Sequence, residues 1–122
     1  MSDQAARLLP LSPQTFQILL SLADGPRHGY EIIQDVRART NDEVRLTAST
    51  LYDALARLLD DEVIDELDRP PAGQPADGRR RYYRLTPLGR SAAALEARRL
   101  ERLIEMARDK RLLPAARSRG RR

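Results

Sequence analysis

The chain has no cysteine, no tryptophan and only one histidine among its 122 residues. The lack of cysteine excludes disulfide bonds and thiolate chemistry, and the lack of tryptophan excludes an indole-lined ligand site. A lone His28, with no cysteine or second histidine to join it, does not predict a metal site, and we expect it to orient the helix that follows. Neither a Ser-His-Asp set with supporting motifs nor a phosphate-cradling glycine loop occurs, so the sequence predicts no enzyme and no cofactor.

Long hydrophobic runs are also missing. No stretch approaches the ~18 apolar residues that a membrane-spanning helix needs. The first thirteen residues contain an early acidic residue and no long apolar run, a pattern that differs from a signal peptide. The length corresponds to one domain, and we expect a soluble, cytoplasmic protein.

Basic charge is in excess, but only at one end of the chain. The 22 basic and 18 acidic side chains leave a formal net charge of +4, and the sequence pI is about 10.1. The four surplus arginines all stand in the tail, at positions 117, 119, 121 and 122, so the chain up to residue 112 is balanced. Net charge therefore does not by itself predict a nucleic-acid partner, and the positions of individual arginines must decide.

Four helices are indicated by caps and by apolar residues at helical spacing. Ser12 before Pro13, and Thr86 before Pro87, each combine an N-cap hydroxyl with a proline in the first turn. Thr47 is the predicted N-cap of the third helix, whose leucines recur at i, i+4, i+7 and i+8 and define one apolar face. The predicted helices span about residues 13–23, 27–40, 48–61 and 87–113.

Two predicted strands lie between the third and fourth helices. Residues 63–67 and 79–85 have strand character, and the proline- and glycine-rich residues 70–78 form the loop that joins them. A short extended segment, Glu43–Leu46, precedes the third helix. Tyr82 and Tyr83 should face opposite sides of their strand, so that one of them packs on the core.

Three helices followed by a β-hairpin form the winged-helix arrangement. The sequence therefore predicts a mainly α fold with a small β-hairpin, a winged helix-turn-helix with a long C-terminal dimerisation helix. The expected organisation is a flexible N-terminus (1–10), a winged-helix DNA-binding domain (11–85), a dimerisation helix (86–113) and a disordered basic tail (114–122).

Three short motifs, in order and correctly spaced, carry a family resemblance. They are Ile18–Leu20 leading through Gly25–Pro26 to His28–Ile32, then Thr50–Leu55 with Arg57–Leu58, then Arg80–Arg90. Over residues 11–112 the chain resembles the PadR family in its short C-terminal form. The resemblance implies a DNA-binding homodimer, usually a repressor, whose C-terminal helix builds the dimer. Glu62 departs from the pattern, because the family commonly has glycine there; it must adopt a left-handed conformation or force a different turn.

The DNA-binding surface is expected on the third helix and on the hairpin. Hydroxyl groups in the first turn of the helix lie beside free backbone N–H groups that can meet phosphate, and Arg57 is placed to reach a phosphate or a guanine edge. The hairpin arginines suit a wing that lies on the DNA backbone or minor groove. The predicted DNA-binding residues are Thr47, Ser49, Thr50, Tyr52, Asp53, Arg57, Arg79, Arg80 and Arg81.

Each of these assignments has a structural alternative. Asp53 and Arg57 have the spacing of an i,i+4 surface pair. Tyr52 lies at the edge of the leucine face, where packing on the core with its hydroxyl at the rim is favoured over base reading. The hairpin arginines would also protect a solvated strand edge from aggregation.

The fourth helix carries an apolar stripe that continues past the reach of the domain. A helix of ~27 residues is about 40 Å long, which is more than a three-helix core covers, so its outer half needs a second apolar surface. The predicted dimerisation residues are Leu95, Leu100, Leu103, Ile104 and Met106.

The leading functional hypothesis is a sequence-specific transcriptional regulator, a repressor that acts as a homodimer on a palindromic operator in double-stranded DNA. A small hydrophobic effector between the C-terminal helices is compatible with the sequence and would release the dimer from DNA. The alternative is a winged-helix module that binds another protein. The two differ in salt dependence, because phosphate contacts weaken as salt rises.

Overall fold

The computed structural model of the chain describes residues 3–74 and 80–115. In this part of the chain, five helices pack with a small three-stranded antiparallel sheet. In chain order the elements are α1 (Asp3–Arg7), α2 (Pro13–Ala23), β1 (Arg27–His28), α3 (Gly29–Arg39), α4 (Ala48–Asp60), β2 (Ile64–Glu66), β3 (Tyr82–Leu85) and α5 (Pro87–Asp109). The mainly helical winged-helix prediction is confirmed, including the long C-terminal helix.

The helix starts follow the predicted caps. The hydroxyl oxygens of Ser12, Thr47 and Thr86 each accept from the backbone N–H three residues on, at 3.0–3.1 Å, at the starts of α2, α4 and α5. His28 caps α3 in a reciprocal way: its Nδ1 accepts from the N–H of Glu31 at 3.3 Å, and its own N–H donates to Glu31 Oε1 at 3.0 Å. The expected role of His28 in orienting this helix is therefore confirmed.

Three helices end in a residue with left-handed backbone. Asn41 (φ 51°), Glu62 (φ 61°) and Arg111 (φ 62°) follow α3, α4 and α5 respectively. After α4 the N–H of Val63 donates to the carbonyl oxygen of Leu58 at 3.0 Å, which closes a Schellman turn. Glu62 thus keeps the turn that a glycine would make, at the steric cost of a Cβ in that conformation.

The sheet has the order β1-β3-β2, with antiparallel pairing throughout. Its third strand was not predicted from the sequence. Glu43–Leu46, expected to be a short extended segment, does not join the sheet, and Leu46 is buried at 4% exposure. The third strand is instead Arg27–His28, paired with β3.

Both tyrosines of β3 are buried, where the sequence predicted that one would be. Tyr83 joins the main core, and Tyr82 packs edge-on against the ring of His28 at 5.3 Å between centroids. The two rings do face opposite sides of the strand, and β1 with its histidine covers the second side.

The core lies between α2, α3, α4 and the sheet. Its buried side chains are Ile18, Leu19, Leu22, Ile32, Val36, Leu46, Leu51, Ala54, Leu55, Leu58, Val63, Ile64 and Tyr83. The leucine face of α4 is thus buried as predicted, and the opposite face of that helix is turned to solvent.

The two chain ends differ from the expected boundaries. Residues 1–10 were predicted to be flexible, but Asp3–Arg7 forms α1, which packs on α5 with Ala5 fully buried. The small side chain of Ala5 allows this close approach. A helix of five residues with one buried alanine shows no apolar periodicity, so the sequence did not predict it. α5 ends at Asp109, four residues short of the prediction, and the basic tail beyond residue 115 lies outside the described residues.

The first half of α5 contains a buried carboxylate. Glu96 is 2% exposed; it accepts from Arg99 through both carboxylate oxygens, at 2.9 and 2.6 Å, and from the N–H of Leu11 at 3.2 Å. The hydrogen bonds from Arg99 lower the pKa of Glu96, and they outweigh the opposing effect of burial. This cluster fastens the segment before α2 to α5.

Among the described residues, no helix combines the length and the apolar character that crossing a lipid bilayer requires.

Candidate nucleic-acid interface

The exposed face of α4 holds most of the residues that the sequence assigned to DNA. Ser49, Asp53 and Arg57 are all exposed, one to two turns apart on the side opposite the buried leucines. This arrangement follows from the helix itself, because residues at i, i+4 and i+8 share a face. A duplex that approached α4 from solvent would meet these side chains first.

The first turn of α4 is preorganised by its cap. Thr47 Oγ1 accepts from the N–H of Thr50 at 3.1 Å and lies 2.9 Å from the Thr50 hydroxyl. The remaining N–H groups of the first turn have no partner within the helix and carry the positive end of its dipole. Thr47 and Thr50 are therefore engaged mainly with each other, and Ser49 presents the free hydroxyl of this turn.

Asp53 and Arg57 form no ion pair with each other in the described part of the chain. The i,i+4 surface pair considered from the sequence is absent, and both charged groups point to solvent. Arg57 is therefore available to a phosphate or a base edge, and Asp53 contributes a separate negative charge to the same face.

Tyr52 stands at the junction between α4 and α3. It is 49% exposed, which makes it more open than the core position favoured from the sequence. Its ring lies against Gly29, where a Cβ would collide with the Tyr52 hydroxyl. The absence of a side chain at Gly29 therefore allows the Tyr52 phenol to lie across the start of α3.

The described part of the hairpin holds three arginines in two different settings. Arg81 is 70% exposed along its side chain and lies 3.8 Å from Glu66 across the strands, and Arg80 is exposed beside it. Arg84, by contrast, is held by Asp65 at 2.8 Å directly opposite on β2, so it serves the hairpin itself. Arg79 lies outside the described residues.

A cleft of about 410 Å³ lies between the hairpin and the helices α3 and α4. Its lining residues are His28, Gly29, Tyr30, Tyr52, Arg80 and Arg81. The fold therefore brings together Tyr52 from α4 and the two arginines from the hairpin, which are about thirty residues apart in sequence. Ser49, Asp53 and Arg57 lie on α4 outside this cleft.

Sequence reasoning missed Tyr30, the more exposed of the two tyrosines that line the cleft, at 63% exposure. The signal was present, because the apolar stripe of α3 runs through Ile32, Ile33 and Val36 and leaves Tyr30 off the inner face. An aromatic residue outside the buried stripe, one position after a glycine, has no packing role to explain it.

A second missed cluster lies in the turn between α3 and α4. Asp42 binds Arg37 at 2.9 Å and Arg45 at 3.6 Å. The hydrogen bond from Arg37 lowers the pKa of Asp42, with a smaller contribution from Arg45. Arg45 is exposed and stands two residues before the cap of α4, so it adds positive charge next to the first turn of that helix.

The second half of α5 exposes large apolar side chains. Leu103, Ile104 and Met106 are 47%, 42% and 57% exposed, and Leu95 and Leu100 are half-buried.

No group of three or more potential metal ligands occurs among residues 3–74 and 80–115.

Comparison with known families agrees with this architecture. The model of the transcriptional regulator PadR-like family matches residues 18–95, more than half of the chain. The chain belongs to the PadR family. The resemblance seen in the three sequence motifs is thereby confirmed, and PadR proteins are transcription factors rather than enzymes.

Relatives of this PadR protein are found among sequences and solved structures. "Uncharacterized protein X" of Lysinibacillus sphaericus is 39% identical over 75 residues, which are 61% of this chain and 65% of that protein's length. A transcriptional regulator from Clostridium thermocellum shares the fold with a TM-score of 0.64 and 27% identity, covering 88% of this chain and 97% of that one. PadR of Bacillus subtilis, solved in complex with operator DNA, has a TM-score of 0.56 and 20% identity, covering 68% and 46%. At that identity the last likeness shows the fold alone.

Proposed function

We propose that this PadR-family protein is a repressor that binds a palindromic operator as a homodimer and reads it with α4. The observation that carries the proposal is the exposed face of α4, where Ser49, Asp53 and Arg57 stand opposite the buried leucines, with the cleft and the hairpin arginines adjoining it. Such a face supplies both base-edge donors and phosphate contacts.

The mechanism we infer is geometric. Two copies of α4, related by a two-fold axis, enter successive major grooves about one helical turn apart, and the hairpins lie on the flanking backbone. Binding of this kind blocks access to the DNA without any chemical step.

The exposed apolar half of α5 supports the homodimer. Leu103, Ile104 and Met106 are solvent-exposed in a single chain, and burying apolar surface stabilises an interface by roughly 25 cal/mol per Å². A second copy related by a two-fold axis offers the same apolar face in return. This dimer would set the distance between the two copies of α4.

The test is binding of the purified protein to duplex DNA over a series of salt concentrations. The logarithm of the association constant should fall linearly with the logarithm of salt concentration. Arg57→Ala should change which operators are preferred, by about 1–3 kcal/mol at a contacted base pair. Arg98→Ala, which removes an exposed arginine on α5 away from α4, is the control and should leave operator preference unchanged.

Two results would overturn the proposal. Binding that is insensitive to salt would favour the protein-interaction module. Operator preference that is unchanged by both Arg57→Ala and Ser49→Ala would remove α4 as the reader.

A further inference from the structure

We propose that the cleft between α3, α4 and the hairpin is a clamp for one phosphate of the DNA backbone in each half-site, and that Tyr30 is one of its donors. The inference rests on the proposed function and goes beyond it, because it assigns one ligand group to a defined set of side chains. The clamp consists of Tyr30, Tyr52, Arg80 and Arg81.

The cleft has the chemistry of an anion site. Its six lining residues include two arginines and two exposed tyrosines, and none of them is acidic. Tyrosine hydroxyls donate to phosphate oxygens, and arginine adds a charge-assisted hydrogen bond. Two carboxylates border the cleft without lining it: Glu31 accepts from the N–H of His28 at 3.0 Å, and Glu66 lies 3.8 Å from Arg81.

The floor of the cleft is rigid. His28 is held by the reciprocal cap with Glu31 and by the edge-on ring of Tyr82, so it is committed to the fold. Gly29 leaves room for the ring of Tyr52, whose hydroxyl would otherwise collide with a Cβ. The Tyr52 phenol is thereby kept against the start of α3, next to the exposed Tyr30, and a donor already in position lowers the entropy lost when a ligand binds.

The position of the cleft selects the DNA backbone as the source of the phosphate. It joins α4 to the hairpin, the two elements proposed to contact DNA. When α4 lies in the major groove and the hairpin lies beside it, the strand that borders that groove must pass between them. One phosphate at a fixed distance from the bases read by α4 would then occupy the cleft.

The experiment is a methylphosphonate scan of an operator selected from random DNA, in which each phosphate in turn is replaced by a neutral group. With the wild-type protein, one position per half-site should weaken binding at least tenfold. Tyr30→Phe and Tyr52→Phe should each weaken binding to the unmodified operator about threefold to tenfold, as expected for a lost hydrogen bond. Both variants keep the ring, and Tyr30 is exposed, so folding is preserved.

The decisive result is the coupling between protein and DNA changes. In Tyr30→Phe the penalty for the methylphosphonate should shrink at that one position and stay unchanged elsewhere. The salt dependence should be unchanged in the phenylalanine variants and lower by about one in Arg81→Ala. Arg98→Ala removes an equal charge from an exposed position on α5 outside the cleft and should leave the scan unaltered.

The outcomes separate the clamp from the proposed function. A wild-type protein that selects an operator, with an identical scan for Tyr30→Phe, would refute the clamp and leave the proposed function intact. A free phosphate ion as the true ligand would show no sensitive position in the scan, which also refutes it. Failure to select any operator would overturn both.

Discussion

The two halves of α5 differ in which residues they bury. In the first half, small and charged residues are buried: Gly89 and Ala92 contact the domain closely, and Glu96 is 2% exposed. In the second half the large apolar residues are outside, with Leu103, Ile104 and Met106 between 42% and 57% exposed. The first half of this helix is therefore packed against its own domain, whereas the second half leaves apolar side chains exposed to solvent.

The first half is packed by a close approach of the helix to the backbone of its own domain. A Cβ at Gly89 would collide with the carbonyl oxygen of Val63, so the helix lies directly on the backbone of the turn after α4. Thr86 reinforces this contact, because its hydroxyl donates to the carbonyl oxygen of Glu62 at 2.6 Å. Among the described residues, nothing covers the exposed apolar side chains of the second half, and we expect a second copy to do so.

The largest expected effect is at the second half. Leu103→Asp places a charge in the proposed dimer interface on both subunits, so the dimer should weaken at least about 100-fold, or about 3 kcal/mol. Sedimentation velocity at tens of micromolar should show a dimer for the wild type and a monomer for the variant. Glu105→Ala, on the exposed opposite side of the helix, should stay dimeric. A stable wild-type monomer would remove the contrast between the halves.

Gly89→Ala tests the close approach in the first half. The added methyl group should destabilise the folded protein by about 2 kcal/mol, because it meets backbone and forces α5 away from the turn. Urea denaturation at a fixed protein concentration measures this. At an open helical site the same substitution would stabilise by up to about 1 kcal/mol, so a gain in stability would contradict the packing described.

Glu96→Gln tests the buried carboxylate. Its pKa lies below the ordinary value of 4.5, so the ionised group stabilises the fold at pH values above 4.5, and that contribution is lost as the pH falls through the lower folded value. At pH 7 we expect the variant to be less stable by about 1 kcal/mol. Denaturation at pH 7 and at pH 3 should show this difference shrinking in acid. An equal difference at both pH values would assign it to packing alone.

The smallest effect is expected at the turn on which the first half rests. Glu62→Gly should stabilise the protein by about 0.5 kcal/mol net, because glycine adopts the left-handed conformation without steric cost but loses more chain entropy on folding. Thermal denaturation compared with Arg111→Gly, which has the same backbone conformation after α5, measures the two turns side by side. A loss of stability in Glu62→Gly would mean that the glutamate side chain has a stabilising role.

Local signals made most of the fold predictable. Hydroxyl caps before α2, α4 and α5, and the leucine spacing of α4, are short-range features that survive folding unchanged, so these elements were found close to their true starts. β1 and α1 were missed because each is too short to show periodicity and exists through contact with a distant element: β3 for Arg27–His28, and α5 for Ala5.

The candidate site also has a part that follows from local sequence and a part that depends on long-range contacts. The outward face of α4 follows from helical geometry, so Ser49, Asp53 and Arg57 could be assigned from the sequence alone. The cleft could not, because it needs the hairpin to fold back beside Gly29 and Tyr30. Glu96 was missed for a related reason. Its burial depends on hydrogen bonds to the carboxylate from Arg99 and from the N–H of Leu11, and these partners are known only from the folded structure.

The most direct test of the central claim is selection of bound sequences from a random pool of double-stranded DNA, followed by measurement of the protein-to-DNA ratio on the enriched sequence. We predict a palindrome with half-site centres about one helical turn, or 10 base pairs, apart, bound by two copies of the chain. Enrichment of a single half-site bound by one copy, or no enrichment over the starting pool, would contradict the account.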